Sequence, residues 1–149
     1  MMNSLAIIVT GDHHAADDGG LYWRWRPVIE RVLVSVAMNY DLVVVIHGSA
    51  PGIDSIADDA AQTFKKFVVI PMPAQWREYE KMGNRNAAGP KRNEQMLTVL
   101  RSLGRVGYDK MVLAFHDDFN NSRGTKDMVN IAIACDVHVE IYTSTGEER

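Results

Sequence analysis

The chain predicts an α/β fold, a five-stranded parallel sheet with helices on both faces. Two observations carry that expectation. Short apolar runs of strand length alternate with segments of helical periodicity along the whole chain, the pattern of strands joined by crossover helices. The leading runs are apolar throughout instead of alternating, as strands covered on both faces are. Right-handed crossovers, with a chain reversal after the third strand, then give the order 3-2-1-4-5, a Rossmann-like arrangement. In such a sheet a ligand sits outside the carboxyl ends of the strands at the switch point, here between strands 1 and 4.

Leu5 to Gly11 is the first strand, an apolar run closed by glycine. Asp12 to Gly20 reads as a polar loop holding His13, His14, Asp17 and Asp18. Adjacent histidines in a loop lack the fixed spacing of a ligand set, so a solvated loop lining the top of the sheet is expected, and no metal. Leu21, Trp25, Val28, Ile29, Val32, Leu33 and Val36 recur at helical spacing. Pro27 places the start of that helix near Arg26, with Leu21 to Trp25 as a separate turn. Trp23 and Trp25 are expected at the edge of the core.

Leu42 to Ile46 is the second strand, and it runs straight into His47-Gly48-Ser49-Ala50-Pro51-Gly52-Ile53-Asp54. Gly48 and Gly52 allow a tight turn and the close approach of a ligand. Asp54 stands where a helix cap belongs; a plain cap and a carboxylate that holds a ribose hydroxyl are both open to it. The helix that follows turns Ile56, Ala57, Ala60, Ala61 and Phe64 inward.

Phe67 to Pro71 is the third strand. Residues 72–88, with Trp76, Tyr79 and Gly83, read as a long irregular segment of the kind that forms lids. Gly89-Pro90 opens the next helix, which runs through Leu97, Leu100 and Leu103 to a stop at Gly104. Lys91, Arg92 and Asn93 sit on its first turn, where basic side chains oppose the helix dipole and point to an anionic ligand. Lys110 to Phe115 is the fourth strand, followed by the loop His116 to Asn120. The last helix ends near Asp136. Val137 to Tyr142 alternates as an edge strand does, and Thr143 to Arg149 is a polar tail expected to fray.

Between the fourth strand and the last helix lies Asn121-Ser122-Arg123-Gly124-Thr125-Lys126-Asp127-Met128. A strand, a small-residue turn and a helix start make an anion site, since unpaired N–H groups and the positive helix end meet there. Gly124 lets the backbone come close, Ser122 and Thr125 add hydroxyls, and Arg123 adds a charged fork suited to phosphate.

Composition narrows the rest. At 149 residues the chain is expected to form one domain, 1–149, with a real core. A net charge of −3 and no basic stripe make nucleic acid an unexpected partner. A single cysteine, Cys135, excludes an internal disulfide and fits a reducing compartment. It lies in the apolar pattern of the last helix and is read as a buried thiol, not a nucleophile. No apolar run reaches membrane-spanning length and no basic segment leads an apolar one at the start, so a soluble, cytoplasmic protein is expected.

Taken in order, the motifs resemble a known family. Thr10-Gly11, His47-Gly48-x-Ala50-x-Gly52-x-Asp54, Pro73-x-x-Trp76, Ala88-Gly89-Pro90-x-Arg92-Asn93-x-x-Met96 and Ser122-Arg123-Gly124-Thr125-x-Asp127-Met128 look like the YspA-type branch of the SLOG superfamily, and they span nearly the whole chain. The resemblance implies a nucleotide-derived small-molecule ligand and a homodimer. It relates the chain to the LOG-type lysine-decarboxylase-like phosphoribohydrolases, which release a base from a nucleoside 5′-monophosphate, and to the DNA-processing protein DprA. In those hydrolases an Arg in an Arg-x-x-x-Met helix and a Glu three residues after Gly-Thr carry the chemistry. Arg92 and Met96 match the first element. At the second, position 128 is Met, and Asn121 and Ser122 replace the leading glycines. Asp127 is one residue early, rotated by roughly 100° around a helix.

Two functions follow. The first is a module that binds or senses a nucleoside phosphate or an ADP-ribose-like ligand, with no resident cofactor. Thr10, Gly11, His47, Gly48, Gly52, Asp54, Arg92, Asn93, Ser122, Arg123, Gly124 and Thr125 are its expected ligand-binding residues. The alternative is a nucleotide N-glycosidase, whose oxocarbenium-like transition state needs a carboxylate beside the anomeric carbon. Arg92, Asp127 and Asp117 are its catalytic candidates, with Asp118 and Asp54 as further carboxylates. The absent Glu at 128 favours binding, and Met128→Glu is expected to restore a carboxylate that faces the crevice.

Overall fold

The structure, a computed structural model, describes residues 2–14 and 19–148, except for the side chains of 19–21. Strands β1 (Ser4–Gly11), β2 (Leu42–His47), β3 (Phe67–Pro71), β4 (Asp109–Phe115) and β5 (Val139–Tyr142) form one sheet in the order β3-β2-β1-β4-β5, with every pair parallel. Helices α1 (Gly19–Ala37), α2 (Ile53–Ala61), α3 (Trp76–Lys81), α4 (Ala88–Arg105) and α5 (Gly124–Ala134) connect them. The expected order is the observed one.

Strand alternation divides the core into two layers. Leu5, Ile7 and Val9 of β1 point towards α1 and α2, where they join Trp25, Ile29, Leu33, Ile53 and Ile56. Ala6 and Ile8 point the other way, towards Met96, Leu97 and Leu100 of α4 and Met128 and Ala132 of α5. Thr10 continues the second series, so it faces the α4–α5 side at the carboxyl end of β1. It lies beside Ala114 of β4, at the switch point.

Several local expectations need correction. The first helix does not wait for Pro27: α1 begins at Gly19 and carries Pro27 inside it, so the helix starts inside the expected Asp12–Gly20 loop. Tertiary packing overrides the proline, because Trp25 on one side of it and Ile29 and Leu33 on the other are all buried in the same layer. A Tyr22–Arg26–Glu30 ladder of side-chain hydrogen bonds also spans it. Asp17 and Asp18 lie outside the described residues, as does the side chain of Leu21. Among the described residues no group of three or more His, Cys, Asp or Glu could hold a metal, and no helix is long and apolar enough to cross a membrane.

Residues 72–88 are not irregular throughout. They hold α3 and a single 3-10 turn, Arg85–Ala87, that leads directly into α4. α4 passes through Gly104 to end at Arg105, and α5 ends at Ala134, short of Asp136. The tail is also folded. Tyr142 bridges Glu148, Thr143 N–H donates to Glu147 O at 3.0 Å, and Arg31 of α1 donates to Gly146 O at 2.9 Å.

Candidate functional site

The turn from β2 to α2 is held from within. His47 is the last residue of β2 and faces the α1–α2 side, where its Nε2 lies 2.6 Å from Asp58 Oδ2. Its Nδ1 accepts from Ser49 N–H at 2.9 Å, which places the ring proton on Nε2, donating to Asp58. Asp54 does not cap the helix N-terminus. It lies within the first turn of α2, and its Oδ2 reaches back to accept from both Gly48 N–H and Ala50 N–H at 3.1 Å. Burial pushes its carboxyl above the usual carboxylate range, against the opposing pull of those amides, His47 and Arg92. The oxygen expected to meet a ribose is thus the one that shapes the loop.

The glycines of this half also serve internal contacts. A Cβ on Gly11 would lie 2.4 Å from Phe115 O and 2.6 Å from Ile53. Gly52 has φ of 84°, and a Cβ there would lie 2.3 Å from Asp12 O, because the two loops cross at the hydrogen bond from Ile53 N–H to Asp12 O. A Cβ on Gly48 would lie 2.0 Å from the Arg92 guanidinium.

Arg92 links this closed half to the other. From the first turns of α4 it donates to Gly48 O at 2.6 Å and to Asn93 Oδ1 at 3.2 Å. Burial lowers its pKa, and Asp54 partly offsets that. Asn93 is itself buried, and its Nδ2 donates to Asp127 Oδ2 at 2.9 Å and Gly124 O at 3.3 Å. The single amide nitrogen of Asn93 thus ties α4 to α5, while Lys91 is exposed and pairs with Glu94 at 3.5 Å.

The start of α5 is different. Arg123 is its N-cap residue and exposed, and Ser122 supplies the capping oxygen, accepting from Lys126 N–H at 3.2 Å. That leaves the Gly124 and Thr125 amides without a partner among the described residues. A Cβ on Gly124 would meet nothing within 4 Å. Thr125 is 4 % and Thr10 9 % exposed, yet neither hydroxyl bonds to another described residue. Every described side-chain polar atom that is sealed from solvent has a partner, so neither hydroxyl is sealed from solvent. The positive end of α5 thus carries two free amides and the unpartnered Thr125 hydroxyl, and Thr10, on a strand that α5 packs against, carries a second, groups of the kind that suit an anion.

The other carboxylates are engaged elsewhere. Asp117 accepts from Ser144 N–H of the tail at 2.7 Å, and Asp118 from Asn121 Nδ2 at 2.9 Å. Asp127 alone of the candidate carboxylates bonds to Asn93 at the α4–α5 contact among the described residues. Met128 does not face the crevice. It is 0 % exposed among Ile8, Met96 and Leu100, so a Glu at 128 would enter the core, contrary to the expectation.

Two contributors escape sequence reasoning. Asp58, the partner of His47, is signalled only by its place one helical turn after Asp54. Arg85, whose guanidinium lies 4.8 Å from the centre of the Trp76 ring, carries no signal at all.

The model of the YAcAr family, described as the YspA, cpYpsA-related SLOG family, matches residues 5–79, half of the chain, and the chain belongs to that family. The matched part holds β1, the closed turn after β2 and Trp76; the α4 and α5 starts lie beyond it. No curated protein and no solved structure matches the chain.

Proposed function

We propose that this member of the YspA, cpYpsA-related SLOG family binds a nucleotide-derived ligand, a nucleoside phosphate or an ADP-ribose-like molecule, with a phosphate at the start of α5. The observation that carries the reading is the open helix start: free Gly124 and Thr125 amides beside the unpartnered hydroxyls of Thr10 and Thr125. A phosphate would take these donors in a crevice that the protein's own side chains do not fill. Arg92 and Asn93 hold the α4 side of that crevice, and Arg123 stands exposed at its rim. His47, Gly48, Gly52 and Asp54 would act on the ligand indirectly, by fixing the loop that Arg92 grips.

Thermal unfolding against nucleoside monophosphates, cyclic nucleotides and ADP-ribose tests this, because a ligand bound only by the folded state raises the midpoint. Arg92→Ala is expected to reduce that rise, each variant being compared with its own ligand-free midpoint. Lys65→Ala, at an exposed position after α2, leaves it unchanged. Equal responses in the two variants contradict the placement.

One observation favours the hydrolase alternative: Asp127 is held at the crevice by Asn93. The oxocarbenium-like transition state would draw on such a carboxylate. Its geometry is that of a side chain already bound to an amide, and the expected outcome is no detectable free base from AMP. Release at an ordinary enzymatic rate, lost in Asp127→Asn, would establish the hydrolase instead.

A further inference from the structure

Resting on that reading, we infer that Trp76 is a stacking platform for the ligand's base, so that the site takes a nucleotide and not merely a phosphorylated sugar. Trp76 opens α3 and is 40 % exposed, although the Arg85 guanidinium lies 4.8 Å from its ring centre. An indole so clamped is fixed in orientation while part of it stays open. A planar base gains from that arrangement, since the held cation and the open ring offer a rigid aromatic surface.

The ring is also in the right place. A Cβ on Gly89 would come 3.4 Å from the far edge of the indole, so Trp76 sits over the first turn of α4. Gly89 precedes Arg92 by three residues, a rise of roughly 4.5 Å along a helix and nearly one turn. The base platform and the arginine that borders the phosphate crevice are therefore neighbours on one helix start.

A surface depression of about 580 Å³ adjoins the ring, lined by Gln75, Trp76, Glu78 and Arg85 among others. Its polar side chains offer acceptors from the carboxylates and both donor and acceptor from the amide. A base edge carries complementary groups; a bare sugar phosphate has no flat surface to place there.

The test compares AMP, GMP, CMP, UMP and ADP-ribose with ribose 5-phosphate by calorimetric titration of wild type, Trp76→Leu and Trp76→Phe. Wild type is expected to bind the best nucleotide at least about tenfold more tightly than ribose 5-phosphate, the scale of one base stacked on an aromatic ring. Trp76→Leu should lose that advantage and leave ribose 5-phosphate affinity unchanged, while Trp76→Phe retains most of it. Ligand-free thermal midpoints confirm that both variants fold. Equal wild-type affinity for nucleotide and ribose 5-phosphate overturns the platform but keeps the phosphate site. Equal losses for both ligands in Trp76→Leu, or no loss, also overturn it. Binding of none of the probes by wild type overturns the nucleotide reading, and the platform with it.

Discussion

Two strand-to-helix turns in this chain carry the same signature, glycines followed by a helix start, and the structure uses them in opposite ways. After β2, Gly48 and Gly52 bring backbone and side chains of the protein together, and Asp54 and His47 complete the hydrogen bonds of the loop. At the start of α5, a Cβ on Gly124 would touch nothing, and two amides and a hydroxyl are left without partners among the described residues. A glycine that touches its own protein is a folding requirement, whereas a glycine beside unpaired donors marks a place for something else.

The largest effect expected from this contrast is at the inner face of α5. Met128→Glu puts a carboxylate among Ile8, Met96 and Leu100 and should cost about 3–5 kcal/mol of unfolding free energy at neutral pH. The loss should shrink as pH falls and the buried acid protonates. Denaturant titration showing stability within about 1 kcal/mol of wild type would mean that position 128 reaches the crevice after all.

Glycine substitutions sharpen the contrast directly. Gly52→Ala meets Asp12 O and a φ of 84°, so it should cost on the order of 2 kcal/mol. Gly124→Ala meets open space at a helix start and should be neutral or stabilising by up to about 1 kcal/mol. Similar losses at both positions would erase the distinction between the two turns.

A smaller effect belongs to Asp54. Its folded-state pKa lies above the ordinary 3.8 because it is buried, so ionising it costs the folded state. The unfolding free energy of wild type relative to Asp54→Asn should therefore fall as pH rises from 3.8 to the raised folded value, and stay level beyond. An advantage that grows with pH in that window, as for an ion-paired aspartate, would show that Arg92 and the loop amides outweigh burial.

The sheet was legible in the sequence because strands buried on both faces leave apolar runs that little else produces. The start of α1 was not, since Pro27 is a local signal and the burial of Trp25, Ile29 and Leu33 on one layer is a tertiary fact. Of the expected site residues, contacts within the protein join Arg92 to Gly48 and Asn93 to Gly124. Their division of labour was not legible in the sequence. Whether Gly48 faces a ligand or Arg92 depends on which side chain crosses it from 44 residues away. Asp54 likewise looks the same in sequence whether it caps a helix or holds a loop, and Asp127 and Met128 differ in role by one step around α5.

The most direct measurement of the central claim is nucleotide affinity in Gly124→Leu. The added side chain enters space that no protein atom occupies within 4 Å of its Cβ, and leucine favours a helix more than glycine does. The ligand-free midpoint should hold or rise while calorimetric affinity for the best-bound nucleotide falls by at least about a hundredfold, the scale of several lost charge-assisted hydrogen bonds. Wild-type affinity in a folded Gly124→Leu protein would place the phosphate elsewhere and contradict the account.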